Sequence, residues 1–205
     1  MSNFTYEKED RKTALEKYEW DNVWIDNTDN HESKRVFYIG DSISCGTRTT
    51  ATRLTEGKIL FDGFGSSKAL DNPFLKEAVR LFGLQLPKID LVLFNNGLHG
   101  FHLEDTSEYA EYYEEMVRFL LDEYSELPLF LLLTTYIRDK KRLERVKLRN
   151  QATLKIAVKY NLPVIDLYTL TEKNKELLSE DGVHFTTEGY EMISEEIISF
   201  IDKNC

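Results

Sequence analysis

The stretch RVFYIGDSISCG (35–46) decides how the rest of the sequence is read. Its first half is a run of apolar, β-branched and aromatic residues, the composition of a buried strand. Its second half turns on Gly40 and Asp41 and sets Ser42 where the chain leaves the strand, at a point where a following helix presents unpaired backbone N–H groups. A strand that runs through such a turn into a helix is one βα unit.

Four further runs repeat the pattern: KILFDG (58–63), DLVLFNN (90–96), PLFLLLTT (128–135) and PVIDLY (163–168). Their unbroken Val, Ile, Leu and Phe content predicts strands buried on both faces, as in a parallel sheet covered by helices. Between and after them the apolar residues recur at helical spacing. Tyr109, Tyr113, Met116, Leu120 and Tyr124 predict a helix over 107–124, and helices are also expected over 140–160 and 187–201, the last capped by Thr186 or Thr187. The basic residues of 140–160 are read as a solvated helix face. No repeat or Pro/Gly-rich linker interrupts the pattern, so one α/β domain is expected over 1–205, with 1–33 a polar N-terminal extension packed on it through Trp20 and Trp24.

Composition narrows the function. A chain of 205 residues that is 41% hydrophobic can bury one continuous core. Its 26 basic and 36 acidic residues give a formal charge of -10, which repels phosphate backbones and anionic membrane surfaces, so nucleic acid is not an expected partner. The longest apolar run, LPLFLLLTTY (127–136), is too short to span a bilayer. The charged N-terminus lacks a secretory signal pattern, and Cys45 and Cys205 form no disulfide framework. A cytoplasmic protein is expected, in which the sequon at Asn3 carries no glycan.

In an open parallel sheet, ligands bind beyond the carboxyl ends of the strands. The residues after each run are therefore the candidates for chemistry: Ser42 after the first, DGFGSS (62–67) after the second, NNGLH (95–99) after the third, and SEDGVH (179–184) before the last helix. A serine hydroxyl needs a base to take its proton, and an imidazole needs a carboxylate to fix its tautomer. Ser42, His184 and Asp181 supply the three groups. A tetrahedral oxyanion needs N–H donors, which a close-approaching glycine backbone and an asparagine amide provide.

These four blocks, GDSIS (40–44), the Gly65 loop, the Asn/Gly loop and DGVH (181–184), resemble the conserved blocks of the SGNH, or GDSL-like, hydrolases in their order. The resemblance implies a flavodoxin-like three-layer α/β/α sandwich around a five-stranded parallel sheet. It implies Ser42 as nucleophile, His184 as base and Asp181 as its orienter, with the oxyanion hole formed by the Ser42 and Gly65 backbone and by Asn95, Asn96 being the alternate. FGSS favours Gly65 over Gly63, and NNGLH departs from the usual Gly-x-Asn-Asp.

The remaining polar candidates lie beside this site. Asp41 and His99 are candidate substrate-binding residues, and Arg138 and Asn150 candidate contacts from beyond the fourth strand. His99, His102, Glu104 and Asp105 match no strong metal-ligand spacing, and Cys45 reads as small-residue packing. The expected activity is therefore a metal-free, cofactor-free serine esterase acting on a small-molecule or glycan ester, with short acyl groups such as acetyl on a carbohydrate favoured. The alternatives are a lysophospholipase or thioesterase acting on longer acyl chains, and a non-catalytic α/β binding module.

Overall fold

The computed structural model describes residues 14–205. Its sheet holds six strands in the order β1-β3-β2-β4-β5-β6. These are β1 (Asp21–Trp24), β2 (Lys34–Gly40), β3 (Ile59–Ser66), β4 (Leu91–Phe94), β5 (Leu129–Leu132) and β6 (Val164–Ile165). Strands β2 to β6 pair in parallel. Taken in chain order they run second, first, third, fourth, fifth across the sheet, the flavodoxin-like arrangement.

The sixth strand corrects the expected count of five. Asp21–Trp24 pairs antiparallel with β3 at its outer edge, Asn22 opposite Gly65. All four of its residues are exposed, so it carried no buried apolar run for the sequence to reveal. The extension thus contributes a strand from within 1–33, while residues 1–13 lie outside the described residues. Trp24 is exposed on this edge strand, and Trp20 packs edge-to-face on His99 with ring centroids 5.9 Å apart.

The parallel strands separate two apolar layers because successive side chains leave a strand on opposite faces. Val36 and Tyr38 of β2 face α1 (Ser42–Leu54) and α6 (Thr187–Asn204), together with Ile193, Ile197 and Ile201. Phe37 and Ile39 face α2 (Leu75–Gly83) and α3 (Thr106–Glu123), joined by the C-terminal half of α4 (Lys140–Tyr160). A shorter helix, α5 (Leu167–Lys173), follows β6. The helix starts are set by side-chain caps: Asp41, Asp105, Asp139, Asp166 and Thr186 each accept a backbone N–H in the first turn.

The basic helix is not wholly solvated. Arg149 is 1% exposed, as deep as the apolar residues around it. It falls in register with Leu143, Val146, Ala152 and Ile156, which are buried on the same helix. A second buried cation, Arg35 in β2, is held by both carboxylate oxygens of Asp62 at 2.9 Å. Among the described residues no helix is long and apolar enough to cross a membrane.

Candidate active site

The switch in strand order lies at β2, which is flanked by β3 on one side and β4 on the other. Loops leaving the carboxyl ends of these strands diverge there and open a crevice. Ser42 stands at this point as the first residue of α1. Asp41 caps the helix, its Oδ1 accepting the Ile43 N–H at 2.9 Å. As the first helical residue, Ser42 has a backbone N–H with no intrahelical acceptor.

His184 arrives from the other end of the chain. Its Nε2 lies 2.8 Å from the Ser42 hydroxyl, and its Nδ1 lies 2.6 Å from Asp181 Oδ2. The tautomer follows from chemistry: an ionised carboxylate only accepts, so Nδ1 carries the proton and neutral Nε2 accepts from the serine. Asp181 is itself fixed by its other oxygen, which accepts the N–H groups of Val183 and His184 and the Ser179 hydroxyl. Burial pushes its carboxyl up, but the hydrogen bonds from His184, Val183 and Ser179 outweigh burial and hold it well below the usual carboxylate range. The loop is tight enough to need Gly182 in the left-handed region, at φ 71°.

Gly65 is the penultimate residue of β3, paired with Gly40 of β2. A Cβ here would run into the Cys45 thiol and approach the Asp41 carbonyl at 3.2 Å. This position therefore requires a glycine, and it brings the β3 backbone alongside the Ser42 turn. Cys45 fills that contact, half-buried, with burial raising its thiol above the ordinary value.

The two asparagines part company. Asn95 Nδ2 donates to the Leu132 carbonyl at 2.8 Å and to Thr134 Oγ1 at 3.1 Å, so both amide hydrogens are spent on the β5 side. Asn96 Nδ2 donates to the Lys68 carbonyl at 3.0 Å, in the loop after β3, and its second hydrogen is uncommitted. Its backbone carbonyl accepts from the Tyr109 hydroxyl. Of the two, Asn96 keeps an amide hydrogen that Asn95 has already spent.

Several other candidates prove to be supports. Asp41 is buried at 2% exposure beneath the serine, with no room to meet a substrate, and burial pushes its carboxyl up to about 6 against the N–H bond from Ile43 and the charge of His184. Asn150 holds the Thr134 backbone from both sides, at 2.8 and 2.9 Å. Arg138 donates to the carbonyls of Glu180 and Ser179, which steadies the Asp181 loop. His102 pairs with Asp71 at 2.8 Å and Asp105 caps α3, so neither converges with His99 on a shared point. Among the described residues no group of three or more His, Cys, Asp or Glu could hold a metal ion.

His99 lies in the loop after β4, packed between Trp20 and Phe101. Burial, helped by the charges of Arg142, Arg149 and His184, lowers its imidazole to about 4, which leaves it neutral near pH 7. The residue that shapes this loop is Arg149, missed in the sequence because it sits in a run of surface cations. Its guanidinium donates to the carbonyls of Gly97, His99, Gly100 and Leu103. The signal was present: Arg149 falls on the helical stripe of buried residues. Glu16 closes the loop from the other side, accepting the Gly100 N–H at 2.5 Å.

Solved structures share this architecture. A lipase/acylhydrolase from Enterococcus faecalis superposes with a TM-score of 0.67 at 21% identity, over 83% of this chain and 96% of its own. The chain has the fold of the GDSL-like lipases and acylhydrolases. An acetyl xylan esterase, AlAXEase, matches with a TM-score of 0.64 at 18% identity, covering 82% of this chain and 99% of the esterase. A GDSL-like lipase from Bacteroides thetaiotaomicron matches at 0.58 and 17% identity, over 84% and 89%. No family model matches the sequence, and no curated protein matches it either.

Proposed function

We propose that the protein is a serine esterase that hydrolyses carboxylic esters through an acyl-enzyme. The observation that carries this reading is the continuous chain from Asp181 through His184 to the Ser42 hydroxyl, with links of 2.6 and 2.8 Å. Ser42 attacks the ester carbonyl while His184 Nε2 takes the hydroxyl proton, and Asp181 stabilises the imidazolium that forms. The oxyanion is met by the Ser42 and Gly65 backbone N–H groups and by the Asn96 amide. His184 then passes its proton to the leaving alcohol. Water attacks the acyl carbonyl by the same route in reverse, which releases the acid and restores Ser42.

A short acyl group on a carbohydrate alcohol is the favoured substrate, a reading supported by the likeness to an acetyl xylan esterase. The test is hydrolysis of 4-nitrophenyl acetate by wild type, Ser42→Ala and His184→Ala, alongside labelling by a fluorophosphonate. Both variants are expected to lose about 10⁴-fold or more in kcat, as other serine hydrolases do without these groups. An inert wild type whose Ser42 escapes the fluorophosphonate would instead leave a non-catalytic binding module.

A further inference from the structure

A small cavity of about 10 Å³ lies behind the Ser42 turn, where the ends of β2, β4 and β5 meet. That is about the space one water requires. Ile43, Leu98, Leu133 and Leu167 line it with apolar surface, and Asp41 and Thr135 reach it from beyond β2 and β5. Both polar residues are buried, at 2% exposure each. Asp41 spends Oδ1 on the Ile43 N–H at 2.9 Å, while its Oδ2 finds no hydrogen-bond partner among the described residues. Thr135 Oγ1 is in the same condition. Other polar groups on this wall are committed: the Ser44 hydroxyl donates to the Asp41 carbonyl at 2.7 Å, and the Asn95 amide to Leu132 and Thr134. Asn150 fixes the Thr134 backbone from both sides, so the adjoining Thr135 is held in place. A carboxylate oxygen and a hydroxyl facing one space of this size suit a single bridging water, which accepts from the hydroxyl and donates to the carboxylate.

We propose that the cavity is a binding site for one water that joins Thr135 Oγ1 to Asp41 Oδ2, and that Asp41 so held is a positioning residue, its buried charge stabilising the His184 imidazolium. The effect on rate rests on the esterase reading; the water and the charge coupling do not. Asp41 directly precedes the nucleophile, and the Ser42 hydroxyl lies 2.8 Å from His184 Nε2, so carboxylate and imidazole meet at the same serine. Asp181, the direct partner of His184, is 52% exposed, and solvent screens much of its charge. Asp41 acts through the protein interior, where a charge reaches further. Other titratable groups face Asp41 as well: Tyr38 of β2, Cys45 of α1, Tyr109 of α3 and Tyr190 of α6. Burial raises all four and the Asp41 charge raises them further, so they stay neutral near pH 7. The positive charge that answers Asp41 is that of His184. By linkage, the support His184 gives to ionised Asp41 is returned in equal measure to the imidazolium.

A crystal structure of the wild type is expected to show one ordered water within hydrogen-bond reach of both oxygens. Carboxyl ¹³C NMR of aspartate-labelled protein then reads the site without turnover. Asp41 is expected to titrate at about 6 in the wild type. Its midpoint is expected to rise by about half a pH unit or more in Thr135→Val, which removes the hydroxyl that holds the water, and in His184→Gln, which removes the cation. Thr135→Ser keeps a hydroxyl and restores the wild-type midpoint. With 4-nitrophenyl acetate, the ratio of kcat/KM between wild type and Asp41→Asn is expected near one at pH 4.5 and about tenfold at pH 8, because only the ionised carboxylate stabilises the imidazolium. Urea titration at pH 8 guards against a misfolded variant, since activity falls while stability does not. A dry cavity, an Asp41 midpoint that neither Thr135→Val nor His184→Gln moves, a rate ratio independent of pH, or a faster Asp41→Asn enzyme at pH 8 overturns the proposal. An inactive wild type whose Asp41 midpoint responds to both substitutions supports the water and the coupling, and strikes the esterase reading alone.

Discussion

Asn95 and Asn96 are neighbours in sequence with opposite commitments, and substituting each separates catalysis from stability. On the proposed mechanism, Asn96→Ala removes an oxyanion donor and is expected to lower kcat by about 10² or more, with a smaller stability cost than Asn95→Ala because one donor bond, to the Lys68 carbonyl, is lost instead of two. Asn95→Ala breaks the ties to Leu132 and Thr134 between β4 and β5. Its cost is expected in stability, about 1–3 kcal/mol in a urea titration, because acceptors between the strands lose their donor. Spacing alone could not separate the two, since both follow the same strand and only the direction of the amide decides. Asp41 gives a second residue-scale outcome. Its folded value near 6 stands above the ordinary 3.8, so the folded state binds the proton more tightly and stability falls as pH rises between these values. Ionisation is then a standing cost above pH 6, on the order of 2–3 kcal/mol for a fully buried carboxyl. Asp41→Asn keeps an oxygen to cap Ile43 and removes that cost. Urea unfolding should find the variant more stable than wild type at pH 8 and close to it at pH 4.5.

At the scale of elements, α4 joins architecture to the site. Its span over Lys140–Tyr160 was legible from periodicity, as were the other long helices to within a few residues. The burial of Arg149 was not, because charge was read as solvation and the four carbonyls that receive its guanidinium lie about fifty residues away. Without this side chain the loop from Gly97 to Leu103 would leave those carbonyls buried and unpaired. Arg149→Met fills the volume without the donors, and is expected to cost on the order of 3 kcal/mol or more. The chemical denaturation midpoint measures that loss, and faster proteolysis within the loop locates it. The edge strand β1 was hidden for the converse reason. Exposed on all four residues, it has no core to answer to, and its pairing with β3 rests on backbone hydrogen bonds that no hydrophobic pattern announces.

Across the whole molecule, the parallel strands were readable because burial on both faces leaves an unbroken apolar run, and Ser42, Asp181 and His184 because each needs the others chemically. The charge balance has a further consequence for stability. Two buried carboxyls, Asp41 and Glu16, are raised chiefly by burial, so each supports the folded state progressively less as pH rises from its ordinary value through its folded value. Self-repulsion in a chain of formal charge -10 grows in the same direction as carboxyls ionise. Asp181 works the other way, since its depressed carboxyl supports the fold above its ordinary value. That support is lost only as pH falls through the folded value, below the range in which the other two titrate. The sum places the stability maximum on the acidic side of neutral. Thermal unfolding is expected to give a melting temperature about 2 °C or more higher near pH 5.5 than near pH 8.5, by the usual conversion for a chain of this size. Salt separates the two causes: it screens repulsion between exposed charges and hardly reaches Asp41. The part of the pH effect that survives high salt should therefore shrink in Asp41→Asn to the share of Glu16, and a wild type whose melting temperature rises toward pH 8.5 would refute the account.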